Sequence, residues 1–438
     1  MKIGVISLGC AKNLVDTENV LGMLRQSGQD ITTSYEEAEA IIINTCGFIE
    51  SAKTEAINTI LDTADLKKKN LKKLIVMGCL AERYKAQLEK EMPEVDRFIA
   101  IDEYPHLGTI LSQELQVKIA DTYGLAPRVL SGKPWMAYLQ ISDGCDNNCS
   151  FCAIPSIRGR LHSIPQEKVL QEAERLASIG VKEITLVAQD CSRYGYDFDH
   201  QLHLVELLKA LDKVEGIHWI RMLYLYPDEI PEGLFDTIQN SRHILPYFDI
   251  PTQSGSDAVL HAMKRKTNRQ KILDLTDQIR RQMPNASLRT TLIAGFPGES
   301  IADHEETLSM VRHVQFNHLG VFTFSSEEGT AAFDMKDDVS AEEKERRRAE
   351  IMAVQEKIAE DRLKITIDHV YEVMIEGRNP LTHMYTGRSY AFAPDGVDGC
   401  IMFHSDQPHE AGQFTKVRIK KISGQNLIGE EIKEDCIS

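Results

Sequence analysis

Three cysteines lie in one loop with the spacing C-x3-C-x2-C. They are Cys145, Cys149 and Cys152, and Phe151 stands between the last two. A structural zinc site usually has four ligands, often as two C-x2-C pairs, and a disulfide framework needs an even number of cysteines in a secreted chain. Three thiolates so close in sequence suit a four-iron cubane, in which the fourth iron is left open for a small molecule. The alternative is three unrelated cysteines in a loop.

Three further cysteines each follow an apolar run. Cys10, Cys46 and Cys79 come after the runs 3–9, 40–45 and 74–78, and helices are expected after them over 13–26, 51–66 and 84–92. Apolar runs that alternate with helical patterns predict buried parallel strands in a doubly wound sheet. Ligands of such sheets bind beyond the carboxyl ends of the strands. We therefore expect the three thiols at one edge, where they favour a second cluster over the alternative of three small buried apolar residues.

Composition narrows the setting in which this chemistry takes place. The chain has 438 residues, a length typical of about three domains. No apolar run approaches the ~20 residues that a membrane-spanning helix needs, and no signal-peptide pattern follows Met1. Nine cysteines, six of them in cluster-like positions, fit the reducing cytoplasm, and Cys191, Cys400 and Cys436 are interpreted as non-ligands. The formal net charge of -16 argues against a broad nucleic-acid-binding surface and favours a basic partner.

Three parts with different patterns divide the chain, and together they predict an α/β fold. Residues 1–115 alternate strand and helix as an N-terminal doubly wound parallel sheet. Residues 131–365 contain about six βα units, which predict an open, partial TIM-like barrel with its reactive edge at the carboxyl ends of the strands. This part ends in a charged helix over about 342–365, with Ser340 as the expected N-cap. Residues 366–436 change to short strands and glycine turns, which predict a small C-terminal β-barrel.

The cysteine loop resembles that of the radical S-adenosylmethionine (SAM) enzymes, and the whole chain resembles the methylthiotransferases. That family joins an N-terminal three-cysteine domain, a central radical SAM domain and a C-terminal TRAM domain, in this order. The segments SLGCAKNLVD (7–16), AIPSIRG (153–159) and LYLYP (223–227) resemble the branch that modifies small-subunit ribosomal protein twelve. Two positions depart from that branch: the run 253–256 is closer to the branch that modifies tRNA, and Cys191 stands where a threonine is expected.

The resemblance also implies SAM-binding residues beside the cluster ligands. Phe151 lies within the cysteine loop, while Gln189 and Asp190 end the second barrel strand, where the superfamily contacts the methionine amino group of SAM. A carboxylate at Asp190 suits an ammonium group, and the alternative is a helix cap or a turn residue. Gly295 lies in the turn TLIAGFPGE after the fifth strand, where the superfamily packs along the adenine of SAM.

The function implied by the resemblance is insertion of a methylthio group at the β-carbon of one aspartate in that ribosomal protein. The substrate is a basic protein, either free or within the ribosome. Two four-iron clusters and SAM are the implied cofactors: the cluster on the loop cysteines cleaves SAM to a 5'-deoxyadenosyl radical, and the cluster on Cys10, Cys46 and Cys79 holds the sulfur. The implied partners are an external electron donor and a sulfur donor, with no membrane.

Two other functions compete with this one. A tRNA adenosine methylthiotransferase would use the same machinery, but residues 367–438 contain eleven Asp and Glu against seven Lys and Arg, a balance unfavourable for binding RNA phosphates. A two-cluster electron carrier would not need a six-unit barrel with a substrate cavity. The acidic C-terminal part instead predicts docking of a basic protein, with Asp395 and Asp398 as candidate contacts or, alternatively, as turn residues.

Overall fold

The computed structural model describes residues 1–432, and its N-terminal part is a parallel sheet of five strands. The strands are β1 (Lys2–Ser7), β2 (Asp30–Ile31), β3 (Ala40–Thr45), β4 (Lys73–Gly78) and β5 (Arg97–Ile99), and the helices are α1 (Ala11–Gln26), α2 (Glu50–Ala64), α3 (Cys79–Glu91) and α4 (Leu107–Leu115). The strand order is β2-β1-β3-β4-β5. The strands β1, β3 and β4 that precede the three cysteines are therefore neighbours in the sheet.

Helices cover both faces of this sheet. On one face Leu24 of α1 and Leu111 of α4 pack into a single buried cluster, and on the other Ile60 of α2 and Leu88 of α3 form a second one. Every side chain of the central strand β3 is buried, as expected for a parallel strand covered on both sides. The predicted doubly wound sheet is confirmed.

Helix α3 begins at Cys79 itself, well before Tyr84, where the helical pattern was expected to start. The preceding Gly78 has a φ of +100°, which turns the chain directly from β4 into the helix. A Cβ at this position would lie 2.3 Å from Asn44 Oδ1 and 2.6 Å from the Thr45 carbonyl oxygen, so only glycine fits. Cys79 consequently stands in the first turn of a helix.

The central part contains six main parallel strands, each followed by helical segments. The strands are β6 (Met136–Gln140), β7 (Ser142–Asp143), β8 (His162–Ser163), β9 (Glu183–Val187), β10 (Trp219–Met222), β11 (Tyr247–Asp249), β12 (Ser287–Ala294) and β13 (His318–Thr323). The helices are α5 (Ile154–Arg158), α6 (Gln166–Ser178), α7 (Tyr196–Asp199), α8 (Leu204–Leu211), α9 (Leu234–Asn240), α10 (Asp257–Ala262), α11 (Arg269–Gln282), α12 (Ile301–Val314) and α13 (Ala341–Ile365). Only β7 and β8 stand apart, as a small antiparallel pair.

These six strands form an incomplete barrel. Strands β6, β9 and β10 pair in parallel, as do β11, β12 and β13, and one parallel bridge between Ile220 and Ile244 joins the two sets. The long helix α13 packs along β13, and the Ser340 side chain accepts a hydrogen bond from the Glu343 amide, which confirms the expected N-cap. The predicted partial TIM-like architecture is confirmed.

The C-terminal part is a closed five-stranded barrel. Its strands are β14 (Val370–Arg378), β15 (Tyr385–Arg388), β16 (Ile401–His404), β17 (Phe414–Ser423) and β18 (Asn426–Glu431), paired in the order β14-β15-β16-β18-β17. The predicted small C-terminal β-barrel is confirmed, and its last strand β18 follows a tight turn after β17. Position 436, both as the predicted end of this domain and as Cys436, lies outside the described residues. Within residues 1–432, no helix is long and apolar enough to cross a membrane.

The C-terminal barrel packs on the amino ends of the central strands. Glu183, at the start of β9, is fully buried and accepts hydrogen bonds from Arg388 Nη2 at 2.6 Å and from Arg221 Nε at 2.8 Å. The expectation that Asp398 belongs to an acidic docking surface is wrong, because this residue is buried and accepts a hydrogen bond from the Tyr247 hydroxyl at 2.6 Å. Asp395 pairs with Arg289 at 2.9 Å. These charges join the two parts of the chain.

Candidate functional site

The loop with the C-x3-C-x2-C spacing lies at the carboxyl end of the central barrel, directly after β6 and β7. It is folded on itself: the Cys152 amide donates to the Cys149 carbonyl oxygen at 3.1 Å, and the Asn147 amide lies 3.5 Å from Cys145 Sγ. The hydroxyl of Tyr226, which follows β10, is 2.7 Å from Cys149 Sγ. The three thiols are half-buried and grouped at the strand ends, where ligands of such barrels bind.

Neighbouring segments hold this loop in place through Ser150. Its amide donates to the Met263 carbonyl oxygen at 3.0 Å, its hydroxyl donates to the Ala262 carbonyl oxygen at 2.8 Å, and its own carbonyl oxygen accepts from the Ala332 amide at 2.7 Å. Phe151 packs against a buried apolar cluster that includes Phe296. The aromatic side chain therefore anchors the loop to the barrel, and its contact with SAM stays a prediction.

Gln189 and Asp190 lie beside the cysteine loop, and their hydrogen bonding differs. Asp190 is buried and accepts from Asn147 Nδ2 at 2.7 Å and from the Ser192 hydroxyl at 2.7 Å, so its carboxylate caps the short 3-10 helix Cys191–Arg193 and holds the loop. Gln189 Nε2 donates to Asp143 Oδ1 at 2.9 Å, whereas its Oε1 is buried without a hydrogen-bond partner. An acceptor left open in this way fits an ammonium donor such as the amino group of SAM.

Gly295 lies at the end of β12 with a φ of +73°. A Cβ at this position would lie 2.2 Å from Lys344 Cγ, so the glycine is needed for the close approach of helix α13. Its amide donates to Glu299 Oε2 at 2.9 Å. This packing accounts for the glycine, and its position along the adenine of SAM stays a prediction.

The other three cysteines meet at one edge of the N-terminal sheet. Asn13 Oδ1 lies 4.0 Å from Cys10 Sγ and 3.6 Å from Cys79 Sγ. Gly9 has a φ of +91°, and a Cβ at this position would lie only 2.7 Å from Cys46 Cβ. The lack of a side chain therefore allows the end of the first strand to approach this cysteine. Three residues far apart in sequence are thus gathered as the strand-end argument predicted, and their role as ligands stays a prediction.

The N-terminal cysteine trio adjoins the segment that follows Cys152. Cys79 packs against Ala153 and Ile157, which follow the loop of Cys145, Cys149 and Cys152 (the radical-type loop). Arg158 extends from α5 into the N-terminal part, and its Nη2 lies 3.8 Å from Cys79 Sγ. One edge of the molecule therefore contains both sets of thiols.

The chemistry of these thiols suits iron–sulfur clusters. Burial raises the pKa of Cys145 to about 11 and the pKa values of Cys79 and Cys152 to about 12, so the thiols are protonated at neutral pH until a metal displaces the protons. Among the described residues, no three His, Cys, Asp or Glu side chains converge as the ligands of a single ion do. A cubane has a different requirement, because its cysteines bind three separate irons around a volume.

The remaining described cysteines are placed as ordinary structural residues. Cys191 is fully buried in the core of the central barrel, with its thiol 3.9 Å from the Leu186 carbonyl oxygen. Cys400 lies in the C-terminal part, where its thiol is 3.3 Å from Asn426 Oδ1. Both thiols lie beside polar groups of the protein, and their interpretation as non-ligands stays a prediction.

Sequence reasoning missed several polar residues of this edge. Tyr226, Asn13 and Arg158 stand within motifs that suggested a family, yet nothing in those motifs shows that they contact cysteines. Lys12 is also buried here, and burial lowers its pKa. A charged residue directly after an apolar strand run was the available signal for Lys12, whereas a contact between residues 142 positions apart, as between Arg158 and Asp16, leaves no local pattern.

Comparison with known families divides the chain into three matched segments. Residues 2–100 match the uncharacterized protein family UPF0004, residues 139–311 match the radical SAM superfamily, and residues 367–432 match the TRAM domain. The cysteine trios fall in the first two segments. The third segment corresponds to the closed C-terminal barrel.

Curated relatives match the chain over nearly its whole length. The ribosomal protein uS12 methylthiotransferase RimO of Acetivibrio thermocellus is 45% identical, with 99% of both chains covered. RimO of Aquifex aeolicus is also 45% identical and covers 98% of this chain and 97% of its own. Among solved structures, the radical SAM methyltransferase TsrM from Kitasatospora setae has a TM-score of 0.55 over 76% of each chain at 11% identity, a likeness of fold alone.

Proposed function

This chain belongs to the RimO family of radical SAM methylthiotransferases, and from that premise we propose that it attaches a methylthio group to the β-carbon of an aspartate in ribosomal protein uS12. The observation that carries the proposal is the meeting of two cysteine trios from two domains at one edge of the central barrel. A single trio would suffice for cleaving SAM. The second trio gives the site a place for the sulfur that the reaction transfers.

Each trio would hold one four-iron cluster. Cys145, Cys149 and Cys152 would bind the cluster that interacts with SAM, and the second cluster would be bound by Cys10, Cys46 and Cys79. Clusters bound there would supply single electrons for radical chemistry and an open iron that holds sulfur. A radical is required because the C–H bond of a saturated carbon is too weak an acid for any side-chain base.

The protein's own side chains orient the components at this edge. Gln189 Oε1, which is buried without a partner, would accept a hydrogen bond from the amino group of SAM. Asp190 keeps the cysteine loop in position through Asn147. Cys79 of the N-terminal part packs against Ala153 and Ile157, which follow Cys152, so the two parts of the chain are in contact beside the cysteine loop.

Charge supports a protein substrate over RNA. The chain has a formal net charge of -16, and the substrate of the RimO relatives is a ribosomal protein, a class rich in Lys and Arg. Long-range attraction between an acidic enzyme and a basic substrate raises the encounter rate and makes it sensitive to salt. An external electron donor and a sulfur donor complete the reaction, which we place in the cytoplasm, where the substrate occurs.

We also propose domain boundaries that follow the three sequence patterns. The N-terminal methylthiotransferase domain spans 1–115, the radical SAM domain 131–365 and the TRAM domain 366–436. The last helix of the first domain ends at Leu115 and the long helix α13 ends at Ile365, so both junctions fall at the ends of helices.

Mass spectrometry of two substrates tests the proposed function. Anaerobically reconstituted enzyme, SAM, a reductant and a sulfide source are incubated with purified uS12 or with tRNA. We expect uS12 to gain one SCH3 in place of a hydrogen on an aspartate, with tRNA unchanged. A variant with Cys145, Cys149 and Cys152 changed to Ala serves as the control. Modification of tRNA adenosine with uS12 untouched would show that the substrate is RNA, and modification of neither would contradict the function.

A further inference from the structure

Arg158 occupies a position between the two cysteine trios. It ends helix α5, a few residues after the radical-type loop, yet its guanidinium lies within the N-terminal part and its side chain is only 2% exposed. Nη2 donates to Asp16 Oδ2 at 2.6 Å and to Asn13 Oδ1 at 2.9 Å, and lies 3.8 Å from Cys79 Sγ. All three partners belong to the segments that carry or surround the N-terminal trio.

The second terminal nitrogen of the same guanidinium, Nη1, faces the segments that contain Gln189 and Cys145. Nη1 donates to Asp143 Oδ2 at 3.0 Å. Asp143 Oδ1 in turn accepts from Gln189 Nε2 at 2.9 Å and from the Gly144 amide at 3.0 Å, directly before Cys145. Arg158 and Asp143 therefore form a continuous path of hydrogen bonds from the Cys79 surroundings to Gln189 and to the start of the cysteine loop.

Arg158 stays positively charged although it is buried. Although burial disfavours the charged form, the carboxylates of Asp16 and Asp143 raise the pKa of Arg158 far above its usual value. Asp16 is itself held by a hydrogen bond from the Tyr123 hydroxyl at 2.7 Å. The arrangement is rigid, because a planar guanidinium with fixed donors on both sides has one geometry in which all of its contacts are made.

We propose that Arg158 is a positioning residue that fixes the N-terminal cysteine trio against the radical-type loop and places a positive charge beside the cluster on that trio. This inference rests on the proposed function, in which Cys10, Cys46 and Cys79 hold a cluster. A cation next to a cluster sulfur favours the reduced, more negative state. Fixed spacing between the trios would keep the sulfur held by the N-terminal trio within reach of the substrate carbon from which the 5'-deoxyadenosyl radical removes hydrogen.

Two substitutions separate the charge from the geometry. Arg158→Gln removes the positive charge, whereas Arg158→Lys keeps it but cannot reach Asp16, Asn13 and Asp143 together. The matched control is Arg160→Gln, because Arg160 lies two residues away on the exposed surface. All variants are built in the full chain, and circular dichroism checks that they fold.

The first measurement is the reduction potential of the N-terminal cluster. It is followed by electron paramagnetic resonance in protein that also carries Ala at 145, 149 and 152, so that only one cluster is present. We expect Arg158→Gln to shift the one-electron reduction equilibrium at least tenfold toward the oxidised state, which is about 59 mV. Arg158→Lys is expected to produce less than half of that shift and Arg160→Gln none. An unchanged potential in Arg158→Gln overturns the inference.

The second measurement uses the six intact cysteines and compares methylthio product with 5'-deoxyadenosine. Arg158→Lys is expected to lower this ratio at least tenfold because the trios lose their fixed spacing, and Arg160→Gln should leave it unchanged. If Arg158→Gln fails to fold, an unchanged ratio in Arg158→Lys still overturns the inference. Absence of iron in the protein with Ala at 145, 149 and 152 would instead show that the proposed second cluster is wrong, and the inference would fall with it.

Discussion

The two ends of the central barrel use buried polar groups in opposite ways. At the amino end, both carboxylate oxygens of Glu183 are occupied by Arg221 and Arg388, and these contacts join the C-terminal barrel to the central one. At the carboxyl end, Gln189 Oε1 is buried without a partner, and Gln189 Nε2 donates to Asp143, two residues before Cys145. Occupied charges mark the end that holds the molecule together, and open acceptors and thiols mark the end where ligands are expected.

The same contrast explains which surfaces remain for a substrate. Acidic residues of the C-terminal barrel such as Asp398 are already used at the amino end, so they cannot serve as a docking surface. Negative charge counted over a domain therefore overstates the charge that a partner meets. Substitutions at each end test whether the division of roles holds.

The largest effect is expected from the radical-type loop. Changing Cys145, Cys149 and Cys152 to Ala should abolish SAM cleavage and lower the iron content from about eight to about four per chain, since one of two four-iron clusters is lost. Iron analysis and 5'-deoxyadenosine assays measure both effects. The control Cys400→Ala changes a cysteine of the C-terminal barrel and should preserve both values. Continued 5'-deoxyadenosine formation in the triple variant would mean that this trio does not hold the SAM-cleaving cluster.

The N-terminal trio should separate sulfur transfer from SAM cleavage. With Cys10, Cys46 and Cys79 changed to Ala, we expect 5'-deoxyadenosine to form while methylthio product on uS12 disappears, because the radical site belongs to a different domain. Liquid chromatography of both products measures the separation. Loss of both activities in a folded variant would show that the carboxyl end works as a single unit.

A smaller effect, on stability, is expected at the amino end. Glu183→Gln leaves the buried Arg221 without a carboxylate and leaves Arg388 with that of Glu376 alone, and it should lower the free energy of unfolding by about 3–5 kcal/mol. Urea denaturation measures this loss, and SAM cleavage per folded molecule should stay at the wild-type level. Glu372→Gln is the control, since its pair with His218 is at the surface and contributes about 1 kcal/mol or less. A loss below that of the control would contradict the structural role of Glu183.

The smallest effect concerns Asp249, inside the barrel between the two ends. Burial raises its pKa from 3.8 to about 6, so the folded protein binds this proton more tightly than the unfolded chain does. The resulting stabilisation is fully present at pH values below the pKa of this carboxyl in the unfolded chain, and it is lost as the pH rises through about 6. Relative to Asp249→Asn, the wild type should therefore lose about 1 kcal/mol of stability between pH 5 and pH 7.5. Urea denaturation at the two pH values measures the difference, with the exposed Asp236→Asn as control; a constant difference between wild type and Asp249→Asn would contradict the raised pKa.

The sequence by itself determined the elements whose evidence is local. The bounds of α1 (Ala11–Gln26), α2 (Glu50–Ala64) and α13 (Ala341–Ile365) agree within two residues with the helices expected over 13–26, 51–66 and about 342–365, and the spacing of Cys145, Cys149 and Cys152 indicated a cluster-type loop. Local evidence is sufficient here because periodicity and short spacing depend only on neighbouring residues.

Tertiary structure alone decided how distant residues combine. Nothing near Arg158 in sequence indicates that it contacts Asp16 and lies beside Cys79, and nothing near Asp398 indicates that Tyr247 binds it. The start of α3 at Cys79 likewise depends on the space that Asn44 and Thr45 leave around Gly78. The physical reason is that such contacts are set by the packing of whole sheets against one another, and the residues they join are dozens to more than a hundred positions apart.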